Sequence, residues 1–302
     1  MIEKRRRGEE EKRRRFANRH PYLGLFLFFA LFAFFAVNSF AQDLESIRSG
    51  IASPNSELKR NALFQIKNLH NEAASRLAIP ALTDRDLLVR ATAANAVIFL
   101  PKPEAASVLK PLLNDKMEFV RGEAAFALGE VGDFSAAAAL ILILEKDSSR
   151  VVKSATATAL GKIGDVSALG PLSNVFRTKP SEDNEFLRRC AAHAIGIVAE
   201  AIKRQQRTTT TPENFLPDKY KKGFSQMAGT GQMSAFQTAN LTLIKVLQNG
   251  KEADDTRREA AFALGAIGDP SSTVVLRSNL NSPDNYLAEI CKEALLKLGP
   301  IQ

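Results

Sequence analysis

One phrase recurs three times along this chain. Ala124–Asp133 reads AAFALGEVGD, Ala157–Asp165 reads ATALGKIGD, and Ala260–Asp269 reads AAFALGAIGD. Weaker copies fill the intervals. All of them align on the residue that opens the second helix of each unit: Leu58, Val89, Val120, Val152, Leu187, Thr256 and Leu287. Six of these anchors are apolar, and their steps are 31, 31, 32, 35, 69 and 31 residues. Self-similarity at that period belongs to stacked two-helix units, none of which can bury its apolar face alone. The step of 69 is about two periods, so one copy there is expected to be stretched or degenerate.

The third copy shows how the letters work. Ala105–Leu113 reads as a first helix, Asn114 and Asp115 as a turn, and Phe119–Val131 as a second helix. Val120, Ala124, Ala127, Leu128 and Val131 then fall on one stripe at helical spacing. Small alanines let neighbouring helices approach closely. Gly132 stands where a helix stop needs left-handed backbone, and Asp133 can cap the next helix. A phosphate-binding loop would need a preceding strand and a Lys-Ser/Thr ending, and the Gly-x-x-Gly-Asp phrase has neither. Asp84 and Arg90, Asp115 and Arg121, and Asp147 and Lys153 are each six residues apart, across the turn into the second helix. A carboxylate there can cap the helix and meet a cation of its own or the next copy, which reads as a structural ladder and not as a catalytic acid.

Charge is unevenly placed. Residues 1–20 hold nine Lys/Arg against four Glu, a net of +5, and 21–41 hold no charge. The whole chain is +8, so the rest carries 8 − 5 = +3. The basic balance is mostly a property of the tail and argues against nucleic-acid binding. Tyr22–Val37 is sixteen residues without a charge, preceded by basic residues and followed by Ser39-Phe40-Ala41. That is the order of a secretory signal, with cleavage after Ala41, or of an uncleaved signal anchor. Both readings keep the tail in the cytoplasm and send residues 42–302 across the membrane, to be periplasmic, secreted or anchored outside. An uncleaved N-terminal segment would remain in contact with the membrane.

The residues of the repeats closely resemble the HEAT-repeat family, in particular the short HEAT-like repeats named after phycobilisome lyases. The resemblance runs over about residues 43–302 and rests on the Gly-x-x-Gly-Asp ends and the Asp-to-Arg/Lys spacing. It implies an all-α fold: a right-handed α-solenoid of about seven helical hairpins, preceded by the signal or anchor segment, that holds other macromolecules. Some relatives help attach bilins to phycobiliproteins, an activity the repeat motif does not bring with it. The second copy departs from the pattern, with Ile98-Phe99-Leu100-Pro101 in place of Gly-x-x-Gly. In the fifth, Gly196 is kept but Ala199 replaces the second glycine, which leaves the ends of these helices open.

Two surfaces are candidates for binding a protein. The position six past the anchor carries Phe64, Asn95, Phe126, Thr158, His193, Phe262 and Glu293. One turn earlier, two past the anchor, come Arg60, Ala91, Gly122, Ser154, Arg189, Arg258 and Glu289. Stacking aligns these as two columns on one wall, where exposed Phe beside Arg is an interface mixture. The competing reading has Phe64, Phe126 and Phe262 padding the gaps between repeats. The second candidate is the insertion at about 203–231, with Lys219, Lys221 and Lys222 as candidate contacts to an acidic partner or an anionic membrane surface. The plainer reading of the same insertion is a disordered loop.

No catalytic set emerges. The histidines are His20, His70 and His193, and no Cys-x-x-Cys, His-Glu-x-x-His or Gly-x-Ser-x-Gly motif occurs. No metal or other cofactor is expected. Cys190 and Cys291 lie two copies apart, too far for a disulfide, and Cys291 aligns with core Ala124. The expectation is a non-catalytic exported scaffold or adaptor that binds protein. The alternative is an accessory subunit of an enzyme, lyase-like or chaperone in kind.

Overall fold

The computed structural model describes residues 44–208 and 234–299. Within them the chain forms fourteen α-helices and no strand. The helices pair in chain order as seven hairpins: α1 (44–52) with α2 (Ser56–Leu69), α3 (Glu72–Ala78) with α4 (Leu87–Ala96), and α5 (Lys102–Leu109) with α6 (Glu118–Val131). Next come α7 (Ala137–Lys146) with α8 (Arg150–Ile163), α9 (Leu169–Asn174) with α10 (Glu185–Thr208), α11 (234–248) with α12 (Asp254–Ile267), and α13 (Thr273–Ser278) with α14 (Asn285–Leu298). Each second helix packs on the next, from α2 through α14, so the hairpins stack as an α-solenoid around one continuous apolar core. Among the described residues no helix is long and apolar enough to cross a membrane. The proposed signal segment, residues 1–41, lies outside the described residues, as do Lys219, Lys221 and Lys222 of the insertion.

The local letters act as read. Gly132, Gly164 and Gly268 end α6, α8 and α12 with φ of 64°, 77° and 74°. The aspartate after each accepts from the backbone N–H two residues on: Asp133 from Ser135 at 2.8 Å, Asp165 from Ser167 at 2.8 Å, and Asp269 from Ser271 at 2.9 Å. In copy five, where Ala199 replaces the second glycine, the stop is missing and the helix α10 runs on to Thr208. The long step is therefore a stretched copy. α10 packs directly on α12, and the extra length lies in the extended helix and in residues 209–233. The first helix of copy three differs from expectation. It begins at Lys102 and gives way at Lys110 to a 3₁₀ turn through Asn114, because Pro111 has no N–H for the α-helical bond. Pro80 does the same after α3. Five anchors, Val89, Val120, Val152, Thr256 and Leu287, are fully buried, and Leu187 nearly so. Leu58 is 52% exposed, because among the described residues no hairpin stacks ahead of its own.

The first glycine of the phrase has a different job from the second. A Cβ on Gly129 would lie 2.7 Å from the Cα of Ala159, on Gly161 2.9 Å from that of Ala194, and on Gly265 2.7 Å from that of Ala294. In each pair the glycine nine past one anchor meets the alanine seven past the next. Gly196 and Ala263 repeat the geometry at 3.1 Å. These are backbone-to-backbone contacts that no larger residue permits. Copy two carries Ile98 at this place, and α4 ends at Ala96, before the isoleucine would have to enter the seam.

Charged rungs cross the seams of the first four copies, of which α6–α8 also has the glycine contact, and one recurs between copies five and six. Arg90 forks onto Asp115 of the next copy at 2.7 and 2.9 Å, and Arg121 onto Asp147 at 2.6 and 2.9 Å. Each arginine also donates to the carbonyl of its own copy's aspartate, Asp84 at 2.8 Å and Asp115 at 2.9 Å. Lys59 meets Asp84 at 2.5 Å, and Arg188 pairs with Glu252, both fully buried. Lys153 breaks the series. In copy five Thr178 takes the structural place of the aspartate, its carbonyl accepting from Arg188 at 2.8 Å, so Lys153 donates instead to the Glu145 carbonyl at 3.0 Å. Burial alone would raise the Asp147 carboxyl, but the Arg121 guanidinium and the Ser149 N–H outweigh it and hold its pKa below the ordinary carboxylate value.

Urea unfolding read by far-UV circular dichroism should separate these roles. Gly129→Ala should cost about 1–3 kcal/mol by overpacking. Gly122→Ala, where an added Cβ meets nothing within 4 Å, should gain about 1 kcal/mol of helix propensity. Equal effects would remove close approach as the reason for glycine at 129. Asp147→Asn should cost about 3 kcal/mol at neutral pH by stranding Arg121. A lowered carboxylate pKa gives stability above its unfolded value and loses it as pH falls through the folded value. Wild type should therefore weaken from about pH 5 down to about pH 2, and Asp147→Asn should show a flatter dependence.

Candidate protein-binding groove

The second helices that build the core also present an outer face. Positions one before, two after and six after the anchor share it at i, i+3, i+7 spacing. Across α2, α4, α6 and α8 this face opens into a cavity of about 670 Å³. Phe64 and Phe126 form one edge, Leu88, Phe119 and Val151 the other, and Ala91, Gly122 and Ala155 the floor. Phe64 is 48% exposed, Phe126 41% and Phe119 49%. Monomer surfaces seldom leave that many large apolar side chains contiguous and open.

Polar groups frame it. Asn95 donates to the Ala91 carbonyl at 3.2 Å and to Glu123 at 2.6 Å, which holds both across the floor. Lys162 lies over the Phe126 ring, 4.9 Å from its centroid, and pairs with Glu130. Arg60 and Lys67 of α2 line the same cavity.

The seven column candidates thus separate into two groups. Arg60, Phe64 and Phe126 come together in the open groove. Arg189, His193, Arg258 and Phe262 come together at the α10–α12–α14 seams, where each is engaged within the fold. Phe262 lies flat on Gly196, where a Cβ would come 2.5 Å from the ring, and stacks on His193 at 5.6 Å between centroids. Lys297 covers it at 5.3 Å. This ring pads the space between repeats. Arg189 pairs with Asp255 at 2.9 Å, and Arg258 forks onto Asp284 at 2.9 and 3.0 Å while meeting Asp255 at 2.6 Å. The column before the anchor (Leu88, Phe119, Val151) is absent from the expected site. Its signal was available as the third member of the i, i+3, i+7 set.

Among the described residues no group of three or more His, Cys, Asp or Glu could hold a metal ion. Both cysteines are free. Burial pushes the Cys291 thiol up to about 11 and also raises Cys190, so neither is a ready nucleophile at neutral pH.

The hydrogen bond from His193 Nδ1 to Glu259 at 2.8 Å raises the imidazole above its ordinary value, with burial opposing in part. A raised histidine contributes its full stability below the unfolded pKa and loses it as pH rises through the folded value. An NMR titration should place the His193 midpoint above about 6.5, and Glu259→Gln should bring it down. A midpoint indifferent to Glu259→Gln would refute the pairing.

The family models that match the chain agree with this architecture. The family described as HEAT repeats matches residues 44–129 and 112–196, and the PBS lyase HEAT-like repeat matches residues 256–282. No curated protein matches the chain. Similar solved structures include the complex of CpcE and CpcF of phycocyanin lyase from Nostoc sp. PCC7120, at 22% identity and a TM-score of 0.46, covering 86% of this chain and 89% of that one. Human deoxyhypusine hydroxylase in complex with glycerol aligns at 19% identity and a TM-score of 0.40, over 87% and 99% of the two chains. A designed armadillo repeat protein aligns at 16% and 0.42, over 84% and 99%. On its matched repeats, seven stacked hairpins and shared helix-end phrase, the chain belongs to the HEAT-repeat family.

Proposed function

We propose that this chain is a non-catalytic adaptor, a right-handed solenoid that holds another protein in the groove across α2, α4, α6 and α8. The observation that carries the reading is the contiguous apolar surface of Phe64, Leu88, Phe119, Phe126 and Val151, left open on the outer face of the second helices. Such a surface is costly in water unless a partner covers it. The order of charge and apolar residues over the first 41 positions supports export, with the repeats in the periplasm, secreted or anchored outside the membrane. A second reading makes the chain an accessory subunit of an enzyme. It is favoured by the PBS lyase HEAT-like match at 256–282 and predicts that the captured partner has an activity that depends on this chain.

The test is photo-crosslinking in the cell envelope. A photoreactive side chain at Phe126 should yield a discrete protein adduct, and one at Leu241, exposed on α11, should not. Phe64→Ala with Phe126→Ala should weaken capture at least about tenfold, since buried aromatic anchors carry about 2 kcal/mol or more each, and should leave the helical signal unchanged. Adducts equal at both positions, or capture indifferent to the double variant, would remove the groove as the binding surface. N-terminal sequencing of the same material should find Gln42 if the segment is cleaved and Met1 if it anchors; a repeat domain recovered only from cytosol would refute export.

A further inference from the structure

The repeat architecture supplies its own control for the groove's arginine. Two past the anchor, copies one, five and six carry Arg60, Arg189 and Arg258. In copies five and six the next hairpin supplies the carboxylate, Asp255 to Arg189 and Asp284 to Arg258, each at 2.9 Å. In copy one the place of Asp255 is taken by Leu88, part of the apolar edge of the groove. Asp86 stands where Asp284 stands and caps α4 as Asp284 caps α14, but among the described residues it makes no contact with Arg60. Its carboxylate accepts from the Leu88 N–H at 2.7 Å and the Val89 N–H at 3.4 Å, and from the Ser56 hydroxyl.

Arg60 is left half-buried beside Phe64, with no ion pair or side-chain hydrogen bond among the described residues. Lys67, two turns along α2, is equally unpaired and lines the same cavity. The acids of the groove, Glu118 and Glu123, belong to α6, and Glu123 already accepts from Asn95. The groove is therefore polar in direction: cations at the α2 end, acids toward α6, apolar side chains between.

We propose that the groove takes an apolar peptide segment of a partner protein with an aspartate or glutamate at the α2 end, where its carboxylate completes the pair that Arg60 lacks. This rests on the reading that the groove binds protein. A guanidinium flanked by a phenylalanine ring and denied an internal partner presents its planar fork to a carboxylate with reduced competition from water. Apolar residues of the same segment cover Phe64, Phe119 and Phe126. At about 10 Å per helix the groove is about 30 Å long, which an extended segment of about nine residues spans.

The test pans a random library of peptides about twelve residues long against the full chain, and against its Arg60→Met, Arg60→Glu and Gly122→Leu variants. Enriched peptides are then titrated by fluorescence anisotropy. Gly122→Leu places a large side chain on the floor, starting from a Cβ that meets nothing within 4 Å. Circular dichroism checks that each variant keeps its helix content. The expected peptides combine large apolar residues with Asp or Glu. Changing that acid to its amide should weaken binding to wild type about tenfold and leave binding to Arg60→Met unchanged. In the Arg60→Glu selection, Lys or Arg should displace the acid.

If Gly122→Leu weakens the enriched peptides but they show no acid preference, or one indifferent to Arg60, the acid inference falls and the protein-binding reading stands. If no peptide depends on Gly122, both fall. A homodimer abolished by Gly122→Leu would place a second copy in the groove and overturn the proposal. Binding to phosphatidylglycerol vesicles abolished by the same variant would place lipid there and also overturn it.

Discussion

Where α6 meets α8, the backbone of Gly129 lies so near Ala159 that no side-chain carbon fits between them. The contact recurs at Gly161 with Ala194, Gly196 with Ala263, and Gly265 with Ala294. From α6 to α14 it brings successive second helices close enough for their anchors to share one core, while at α2–α4 and α4–α6, which lack it, the Lys59–Asp84 and Arg90–Asp115 rungs span the seam. A longer residue at any of these glycines would open its seam and turn the outer columns away from each other. The groove inherits its width at the α6–α8 end from this spacing, because its walls there are the outer faces of helices whose inner faces are already in contact.

Much of this was legible because the repeat says the same thing several times. Comparison of copies marks Val120, Ala124 and Leu128 as core, Gly132 as a stop and Asp133 as a cap, and the backbone angles agree. The role of Gly129 was not legible in the same way. Helical spacing tells which way a residue faces within its own copy, and says nothing about how near the neighbouring backbone lies. The 3₁₀ endings after α3 and α5 could have been read from Pro80 and Pro111, whose missing N–H breaks the helix ladder.

The candidate site was legible by column and not by depth. Phe64, Phe126 and Phe262 hold equivalent positions, yet two rings stand open and the third is packed between Gly196 and Lys297. The difference comes from residues of other copies: Lys162 covers Phe126 as Lys297 covers Phe262, but the copy before Phe262 stacks the His193 ring on it, and the copy before Phe126 carries Asn95 at that place. The arginines divide for a related reason. Arg189 and Arg258 each meet an aspartate of the following hairpin, Asp255 one residue before its anchor and Asp284 three before, whereas copy two offers Arg60 a leucine at the first place and, at the second, an Asp86 that accepts from Ser56.

The missing rung at Lys153 carries a further consequence. From α2 to α8 each seam has both a charged crosslink and apolar packing. Between α8 and α10 the packing continues through Gly161 and Ala194 but no carboxylate answers the lysine. In a linear stack each hairpin is coupled to the rest through its two seams, so the groove, which lies wholly on the near side of this one, is joined to α10 by close backbone packing and by the exposed Arg150–Asp183 pair at 3.8 Å, without a buried charged rung. Salt screens that exposed pair and leaves the packing untouched, so the coupling of the two halves is nearly independent of ionic strength.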